Sequence, residues 1–179
     1  MEHADHVNLL QGGIPKPGGV WADFGSGSGA FTLALAQLIG PTGEIYSIDR
    51  DEGALRQQER ILLDRFPTYL SSNLHFCVAD FTHPLDLPLL DGAVMANALH
   101  FQRKKDDVVQ LIHGYLCPGG RLILVEYNVD RGNFWVPYPI SFENWEKIAR
   151  RNGFADTLLL ATRPSRFLKE IYSAVSLKP

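Results

Sequence analysis

The chain has 179 residues, of which 45% are hydrophobic and 21% are charged, and its formal net charge is −3. This length supports one substantial core and is short for two independent domains, so we interpret residues 1–179 as a single domain. The basic residues are scattered, which argues against nucleic acid as a partner. The two cysteines form no CxxC pair, which argues against a metal site or a disulfide framework and favours a reducing compartment.

The beginning of the chain lacks the basic and then apolar build of a signal peptide, and no apolar run reaches the length of a membrane span. The sequence therefore predicts a cytoplasmic protein without a membrane span. We interpret residues 1–18 as a brief helical turn followed by a lead-in rich in glycine and proline.

Strand and helix patterns then alternate along the chain. The predicted elements are, in order, strand 20–24, helix 29–39, strand 44–48, helix 51–65 stopped by Pro67, strand 74–78, strand 92–96, helix 106–116, strand 121–127, a helix from Ser141 to Gly153, and strands 154–162 and 167–175. The alternation up to residue 127 predicts an α/β domain with a parallel, doubly wound sheet. The last two strands leave no room for a crossover, so they are expected to pair antiparallel.

Three glycines, Gly25, Gly27 and Gly29, follow the first strand in alternate positions. Glycine allows the chain to reverse within a few residues, and it lets backbone N–H groups approach a ligand at the electropositive start of a helix. This turn predicts a site for the sugar and tail of a nucleotide-like cofactor. The alternative is an ordinary connection between a strand and a helix.

Ligands bind outside the carboxyl ends of the strands in an open parallel sheet. Apart from Phe24, the positions following the predicted strands are all polar or glycine: 23–29, Asp49, Asp80, Asn97 and 126–128. Asp49 is expected to accept hydrogen bonds from both hydroxyls of a ribose, because a carboxylate is bidentate. Its alternative is the N-cap of the next helix, for which Asp51 is better placed.

These motifs together resemble the class I S-adenosylmethionine-dependent methyltransferases, in particular their small-molecule members. The residues that carry the resemblance are 23–29, Asp49, 79–81, 91–101 and 116–120, within a match that covers residues 19–127. The resemblance implies a single Rossmann-like domain with a seven-stranded sheet of order 3-2-1-4-5-7-6, in which the last strand lies antiparallel beside strand five.

The resemblance also implies S-adenosylmethionine as the cofactor. It places four residues of the glycine turn against the cofactor: Gly25, Ser26, Gly27 and Gly29. Asp23 is implied to contact the methionine ammonium through water, Asn97 to line the methionine side, and Asp49 to bind the ribose. Asp80 is implied to accept a hydrogen bond from the adenine amino group, and the Phe81 backbone N–H to donate one to the adenine ring. Arg50 and Phe81 are expected to flank the adenine plane, with an exposed arginine and a core phenylalanine as the alternatives. For Asp80 the alternative is an aspartate that starts a turn.

Methyl transfer from a sulfonium requires aligned reactants, exclusion of water and, for some acceptors, removal of a proton. His100 and Glu126 are the predicted catalytic residues, since histidine is the usual general base near neutral pH. The alternatives are a histidine that satisfies the local backbone and a carboxylate that lines the cofactor pocket or caps a helix.

The segment 128–140 contains Phe134, Trp135 and Tyr138, which predict binding of a small, apolar or aromatic acceptor. A hydrophobic cover and a dimer contact are the alternatives for these aromatic residues.

Two other functions compete with the methyltransferase. An NAD(P)-dependent oxidoreductase is favoured by Gly25, Gly27 and Ala30, which fit the G-x-G-x-x-G/A pattern, but it gives Asp80 no role and lacks room for a second half. A methyltransferase-like partner subunit without catalysis is the other alternative. The lead-in is shorter than in the resembled family, so the site is expected to be open or closed by a second subunit of a homo-oligomer.

Overall fold

The computed structural model describes residues 1–66 and 73–179. Its α-helices are His3–Gln11 (α1), Ala30–Ile39 (α2), Glu52–Arg65 (α3), Asp106–Tyr115 (α4) and Phe142–Arg151 (α5). Its strands are Gly19–Phe24 (β1), Gly43–Asp49 (β2), Leu74–Val78 (β3), Leu90–Ala96 (β4), Leu116–Tyr127 (β5), Asp156–Pro164 (β6) and Glu170–Leu177 (β7).

All seven strands form one sheet of order β3-β2-β1-β4-β5-β7-β6. The pairs among β1 to β5 are parallel, whereas β7 runs antiparallel to both of its neighbours. The predicted fold class, including the strand order and the antiparallel ending, is confirmed. Antiparallel pairing of β6 and β7 follows from their short connection, which cannot cross over the sheet.

The helices cover both faces of the sheet and divide the core in two. One cluster of buried side chains joins α1, α2 and α3 to the sheet, and the other joins α4 and α5 to its opposite face. In α5 the side chains of Trp145, Ile148 and Ala149 are buried, at the spacing of one helical face. No helix in the part of the chain that the structure describes is long and apolar enough to cross a membrane.

The bounds of most predicted elements shift by at most three residues, with β6 and β7 beginning at Asp156 and Glu170 rather than at residues 154 and 167, and two elements differ by more. The brief turn expected before residue 18 is a full helix, α1, because Leu9 and Leu10 are buried against α2 and Asp5 accepts a hydrogen bond from the backbone N–H of Glu2. Strand β5 begins at Leu116 rather than at residue 121, since Leu116 pairs with Leu90 and an irregularity absorbs the residues between the two registers. The predicted stop at Pro67 lies outside the described residues.

Gly92 in β4 leaves the space that the buried side chain of Trp21 fills, and a Cβ at this position would overlap the six-membered ring of the indole. We expect Gly92→Ala to lower the free energy of unfolding by about 1 to 3 kcal/mol, as overpacked cores do. Gly114→Ala is the matched control. Gly114 lies in α4 with no atom near its missing Cβ, and the same substitution there is expected to add about 0.5 to 1 kcal/mol.

Urea unfolding of both variants measures this difference. Equal free energies of unfolding for Gly92→Ala and Gly114→Ala would show that the contact with Trp21 does not constrain β4.

Candidate active site

A cavity of about 730 Å³ opens at the edge of the sheet where β1, β2, β3 and β4 end. Seven of the predicted cofactor-binding residues line it: Gly25, Gly27, Asp49, Arg50, Asp80, Phe81 and Asn97. The other lining residues are Asp51, Ala79, Thr82, Ala98, Phe101 and Gln102. The structure therefore brings residues from four strand ends to one site.

The glycine turn between β1 and α2 has a backbone that only glycine adopts readily. The φ angles of Gly25, Gly27 and Gly29 are 75°, 53° and 84°. A Cβ on Gly25 would lie 2.6 Å from the Cβ of Ala98, whereas a Cβ on Gly27 would meet no atom within 4 Å. Gly27 thus presents bare backbone to open space within the cavity lining, as close approach of a ligand requires.

Asp49, at the end of β2, binds two backbone segments at once. Its Oδ2 accepts a hydrogen bond of 2.8 Å from the Gly27 N–H, and its Oδ1 accepts one of 2.9 Å from the Asp51 N–H. Each carboxylate oxygen retains acceptor capacity for a ligand. The N-cap of α3 is Asp51, whose Oδ1 accepts from the Ala54 N–H at 3.0 Å, so capping does not occupy Asp49.

Asp80 follows β3 and combines the two roles weighed for it. Its Oδ1 accepts hydrogen bonds from the hydroxyl and the backbone N–H of Thr82, within a turn that Asp80 itself starts, and Asp80 also lines the cavity. The bond from the Thr82 side chain, followed by that from its backbone, lowers the pKa of Asp80. The ionised carboxylate is therefore the form presented at the cavity. Phe81 packs partly buried on the core beside Gly25, and Arg50 lies on the rim.

Asn97 follows β4 with a φ of 52°, a left-handed conformation that is uncommon outside glycine. Its side-chain Oδ1 is buried and accepts no hydrogen bond from the described residues. An unpaired buried carbonyl oxygen costs about 1 to 3 kcal/mol. Since Asn97 lines the cavity, a donor on a bound molecule, such as an ammonium group, would satisfy this oxygen.

Three predicted cofactor residues, Asp23, Ser26 and Gly29, are not among the lining residues of the cavity. Asp23 is buried within the sheet edge, where its Oδ2 accepts a hydrogen bond of 2.6 Å from the hydroxyl of Thr32 in α2. Burial raises the pKa of Asp23 to about 7. Its hydrogen bond with Thr32 joins β1 to α2, the two elements that the glycine turn connects.

A polar network that the sequence analysis missed holds the glycine turn. The Ser47 hydroxyl lies 2.7 Å from the Ser26 hydroxyl and 2.6 Å from Oε1 of Gln58, and Nε2 of Gln58 donates to the Gly27 carbonyl at 3.3 Å. The signal for Gln58 is its position between Leu55 and Leu62, on the inward face of α3, where an apolar residue is expected.

His100 and Glu126 form a buried pair close to the cavity but not in its lining. Nδ1 of His100 lies 2.9 Å from Oε1 of Glu126, and the His100 backbone N–H donates to Oε2 at 3.1 Å. The Tyr127 N–H also donates to Glu126, at 2.9 Å. The other ring nitrogen of His100, Nε2, makes no hydrogen bond within the described residues. Glu126 thus fixes both the ring and the backbone of His100.

The three aromatic residues predicted to bind the acceptor lie in the loop between β5 and α5. Phe134 is 87% exposed, Trp135 is 68% exposed and Tyr138 is partly exposed, and none of the three lines the cavity. The loop is nevertheless tied to the cavity rim, because the Tyr138 N–H donates to the His100 carbonyl at 2.9 Å. The buried Lys105 also donates to the carbonyls of Tyr138 and Gln102, a contact that spacing alone did not reveal.

The fold, the left-handed glycine turn and the acidic residues after β2 and β3 define a class of protein, a Rossmann-like domain that binds an adenosyl cofactor. The family model for a methyltransferase domain matches residues 15–171. The chain therefore belongs to the methyltransferase domain family, of the class I type that uses S-adenosylmethionine. This membership decides against the NAD(P)-dependent oxidoreductase.

Curated relatives match part of their length. The chain is 30% identical over 115 residues to the ubiquinone/menaquinone biosynthesis C-methyltransferase UbiE of Ectopseudomonas mendocina, covering 63% of this chain and 43% of that protein. It is 29% identical over 131 residues to UbiE of Burkholderia mallei, and this match covers 72% of this chain and 49% of that protein. The chain thus spans about half the length of these relatives.

Solved structures share the fold across nearly the whole chain. YcgJ of Bacillus subtilis superposes with a TM-score of 0.78 at 12% sequence identity. The superposition covers 98% of this chain and 99% of the YcgJ chain. The 1,6-didemethyltoxoflavin-N1-methyltransferase of Burkholderia thailandensis, with 1,6-didemethyltoxoflavin and S-adenosylhomocysteine bound, has a TM-score of 0.76 at 18% identity. The match covers 98% of this chain and 77% of that chain.

The raised pKa of Asp23 predicts a pH dependence of stability. The folded state holds the proton up to about pH 7, whereas the unfolded state loses it near 3.8, so this group's contribution to stability falls as the pH rises between these values. We expect wild type to lose about 2 to 3 kcal/mol more of its free energy of unfolding than Asp23→Asn between about pH 5 and about pH 8.

Denaturant unfolding of both proteins at the two pH values measures the difference. Parallel losses in wild type and Asp23→Asn would contradict a protonated Asp23 in the folded state.

Proposed function

We propose that this chain transfers a methyl group from S-adenosylmethionine to a small, apolar or aromatic acceptor, and that the cavity at the carboxyl edge is its cofactor site. The observation that carries the proposal is the convergence of bare Gly27 backbone, Asp49, Asp80 and Asn97, whose buried amide oxygen is unpaired, on one cavity. Family membership supports the reaction class.

The residues present fit this cofactor. Asp49 would accept from the ribose hydroxyls, and Asp80 from the adenine amino group, while the Phe81 N–H would donate to the ring. The Asn97 oxygen would accept from the methionine ammonium, with Asp23 contributing through water from behind the turn. When bound, the cofactor supplies an electrophilic methyl group on a sulfonium sulfur.

The acceptor side is proposed to lie at the segment after β4 and the loop after β5. His100 would take a proton from the acceptor through Nε2, with Glu126 holding its ring from the opposite nitrogen. Phe134, Trp135 and Tyr138 would guide an apolar acceptor, because their loop is hydrogen-bonded to the cavity rim. Alignment of two bound reactants can supply roughly 7 to 11 kcal/mol of the barrier reduction.

The wider assignments are proposals of the same kind. We propose that residues 1–179 form a single domain that acts in the cytoplasm without a nucleic-acid partner, and that a second copy of the chain associates with it. Light scattering at several protein concentrations, with and without S-adenosylhomocysteine, tests for that second copy.

Removal of the Asp49 carboxylate tests the cofactor site. We expect Asp49→Ala to lose about 1 to 3 kcal/mol of binding free energy for S-adenosylhomocysteine, because two ribose hydroxyls lose their acceptor and the Gly27 N–H loses its anchor. Titration calorimetry measures the dissociation constant.

Asp91→Ala is the matched control. Asp91 also accepts a hydrogen bond from the backbone of a neighbouring strand, the Val20 N–H at 2.8 Å, but it does so at the opposite edge of the sheet. Its loss is expected to leave the affinity for S-adenosylhomocysteine unchanged. Equal affinities in wild type, Asp49→Ala and Asp91→Ala would refute the ribose assignment.

Turnover by His100→Ala tests the proposed general base. The assay follows labelled methyl transfer to a panel of small aromatic acceptors that includes precursors of ubiquinone and menaquinone. We expect kcat to fall by about 10² or more with the dissociation constant of S-adenosylhomocysteine unchanged, and Glu126→Gln to lower kcat and alter its pH profile. A loss of only a few-fold, accompanied by a lower melting temperature, would make the pair structural instead.

A further inference from the structure

Two aromatic side chains stand in solvent at the tip of the loop after β5. Phe134 and Trp135 are 87% and 68% exposed, and their rings contact each other edge to face, with centroids 5.2 Å apart. Large apolar side chains normally find cover, and contiguous exposed apolar surface marks an interaction site. Neither ring lines the cofactor cavity, so the proposed reaction at that cavity does not by itself explain their exposure.

Hydrogen bonds order the backbone of the turn that carries Phe134 and Trp135. Oδ1 of Asn133 accepts hydrogen bonds of 2.9 Å from the N–H groups of both Trp135 and Val136, and the Asn133 N–H donates to the Val136 carbonyl at 2.9 Å. The Val136 side chain is buried and anchors the turn. A Cβ at Gly132 would collide with the Val136 carbonyl, so the turn closes tightly. The pair is thus presented in an ordered form, which lowers the entropy cost of docking.

The exposed cations around the tip lack acidic partners. Arg131 adjoins the turn, and Arg103 and Lys104 lie between His100 and Lys105, the two residues hydrogen-bonded to the Tyr138 backbone. Among the described residues, these three cations form no ion pair. Of the acidic residues in these segments, Asp130 has its carboxylate engaged by the backbone and hydroxyl of Ser141, and Asp106 is paired with Arg151. The two segments therefore carry three unpaired exposed cations against one further exposed aspartate, Asp107, although the chain as a whole is acidic.

We propose that Phe134 and Trp135 insert into the interfacial region of an anionic lipid bilayer, with Arg103, Lys104 and Arg131 against its headgroups. Aromatic rings favour the headgroup level of a membrane, and nearby lysines and arginines are drawn to anionic lipid. The docking itself does not depend on the reaction. Its use rests on the proposed function: the tip is hydrogen-bonded to the cavity rim, so an apolar acceptor dissolved in the bilayer would enter the site from the docked face.

Trp135 reports directly on this docking. The chain has three tryptophans, and the other two, Trp21 and Trp145, are buried. With vesicles of equal parts phosphatidylcholine and phosphatidylglycerol, we expect the emission to shift to shorter wavelengths and quenching by acrylamide to fall. Brominated lipid in the same vesicles is expected to quench the shifted emission. Vesicles of phosphatidylcholine alone, or added salt, should weaken all three effects.

Variants distinguish membrane binding by Phe134 and Trp135 from nonspecific hydrophobic adsorption of the protein to vesicles. Phe134→Ser retains the reporter and is expected to weaken partitioning to the anionic vesicles by about tenfold or more. Leu89→Ser is the matched control, because Leu89 is 66% exposed and precedes β4 at the opposite edge of the sheet. It should partition as wild type does. Replacing Lys104 and Arg131 by glutamine should reduce the preference for phosphatidylglycerol.

Three results would overturn the proposal: no spectral change with either vesicle, equal losses in Phe134→Ser and Leu89→Ser, or shielding of Trp135 that grows with protein concentration without lipid. The last would identify a second copy of the chain as the occupant. Binding of S-adenosylhomocysteine by Phe134→Ser is measured in the same samples. Retained binding together with lost vesicle partitioning concerns the docking alone, whereas lost binding of S-adenosylhomocysteine counts against the proposed function.

Discussion

The carboxylate of Asp49 is the contact on which the geometry of the site depends. It holds the Gly27 N–H with one oxygen and the start of α3, at the Asp51 N–H, with the other. The carbonyl of the same Gly27 accepts from Gln58, so this residue is held at both of its backbone polar groups. A turn with three left-handed residues is conformationally costly to order. These hydrogen bonds, supplied by β2 and α3, fix it next to the end of β1.

The cavity has an acidic lining, and this charge determines which ligands it favours. Three aspartates, at positions 49, 51 and 80, line it with one arginine at position 50, and the buried Asn97 oxygen adds another acceptor. Such a lining attracts hydroxyl, amino and ammonium donors and repels phosphate oxygens. A sulfonium cofactor with an ammonium group suits it, whereas the pyrophosphate of a dinucleotide would face uncompensated carboxylates. The same glycine pattern therefore serves a different ligand here because of the residues that surround it.

The sequence predicted what local chemistry determines and missed what depends on tertiary contact. Strand ends, the glycine turn and the capping role of Asp51 follow from periodicity and turn chemistry within a few residues. Gln58 and Lys105 act on groups 31 and 33 residues away, and no spacing rule links such positions. The burial of His100 also depends on Glu126, 26 residues further on. The predicted start of β5 was wrong because Leu116 pairs with Leu90 before an irregularity in the strand. The glycine-rich residues between Leu116 and Arg121 are typical of a turn, so they do not predict a continuous strand.

The two proposed halves of the site are both held by hydrogen bonds, but these bonds come from different parts of the fold. The cofactor half is fixed by hydrogen bonds among strand ends and helix starts, which the whole sheet supports. The loop after β5 is attached to the rim through the Tyr138 N–H and through Lys105, whose ammonium group bridges two carbonyls. Burial lowers the pKa of Lys105, with the charge of Glu126 opposing the shift, so this bridge rests on a cation held away from water. Changes at the exposed tip leave all these bonds intact. The proposed acceptor selection and docking at Phe134 and Trp135 can therefore vary without change to the hydrogen bonds around the glycine turn.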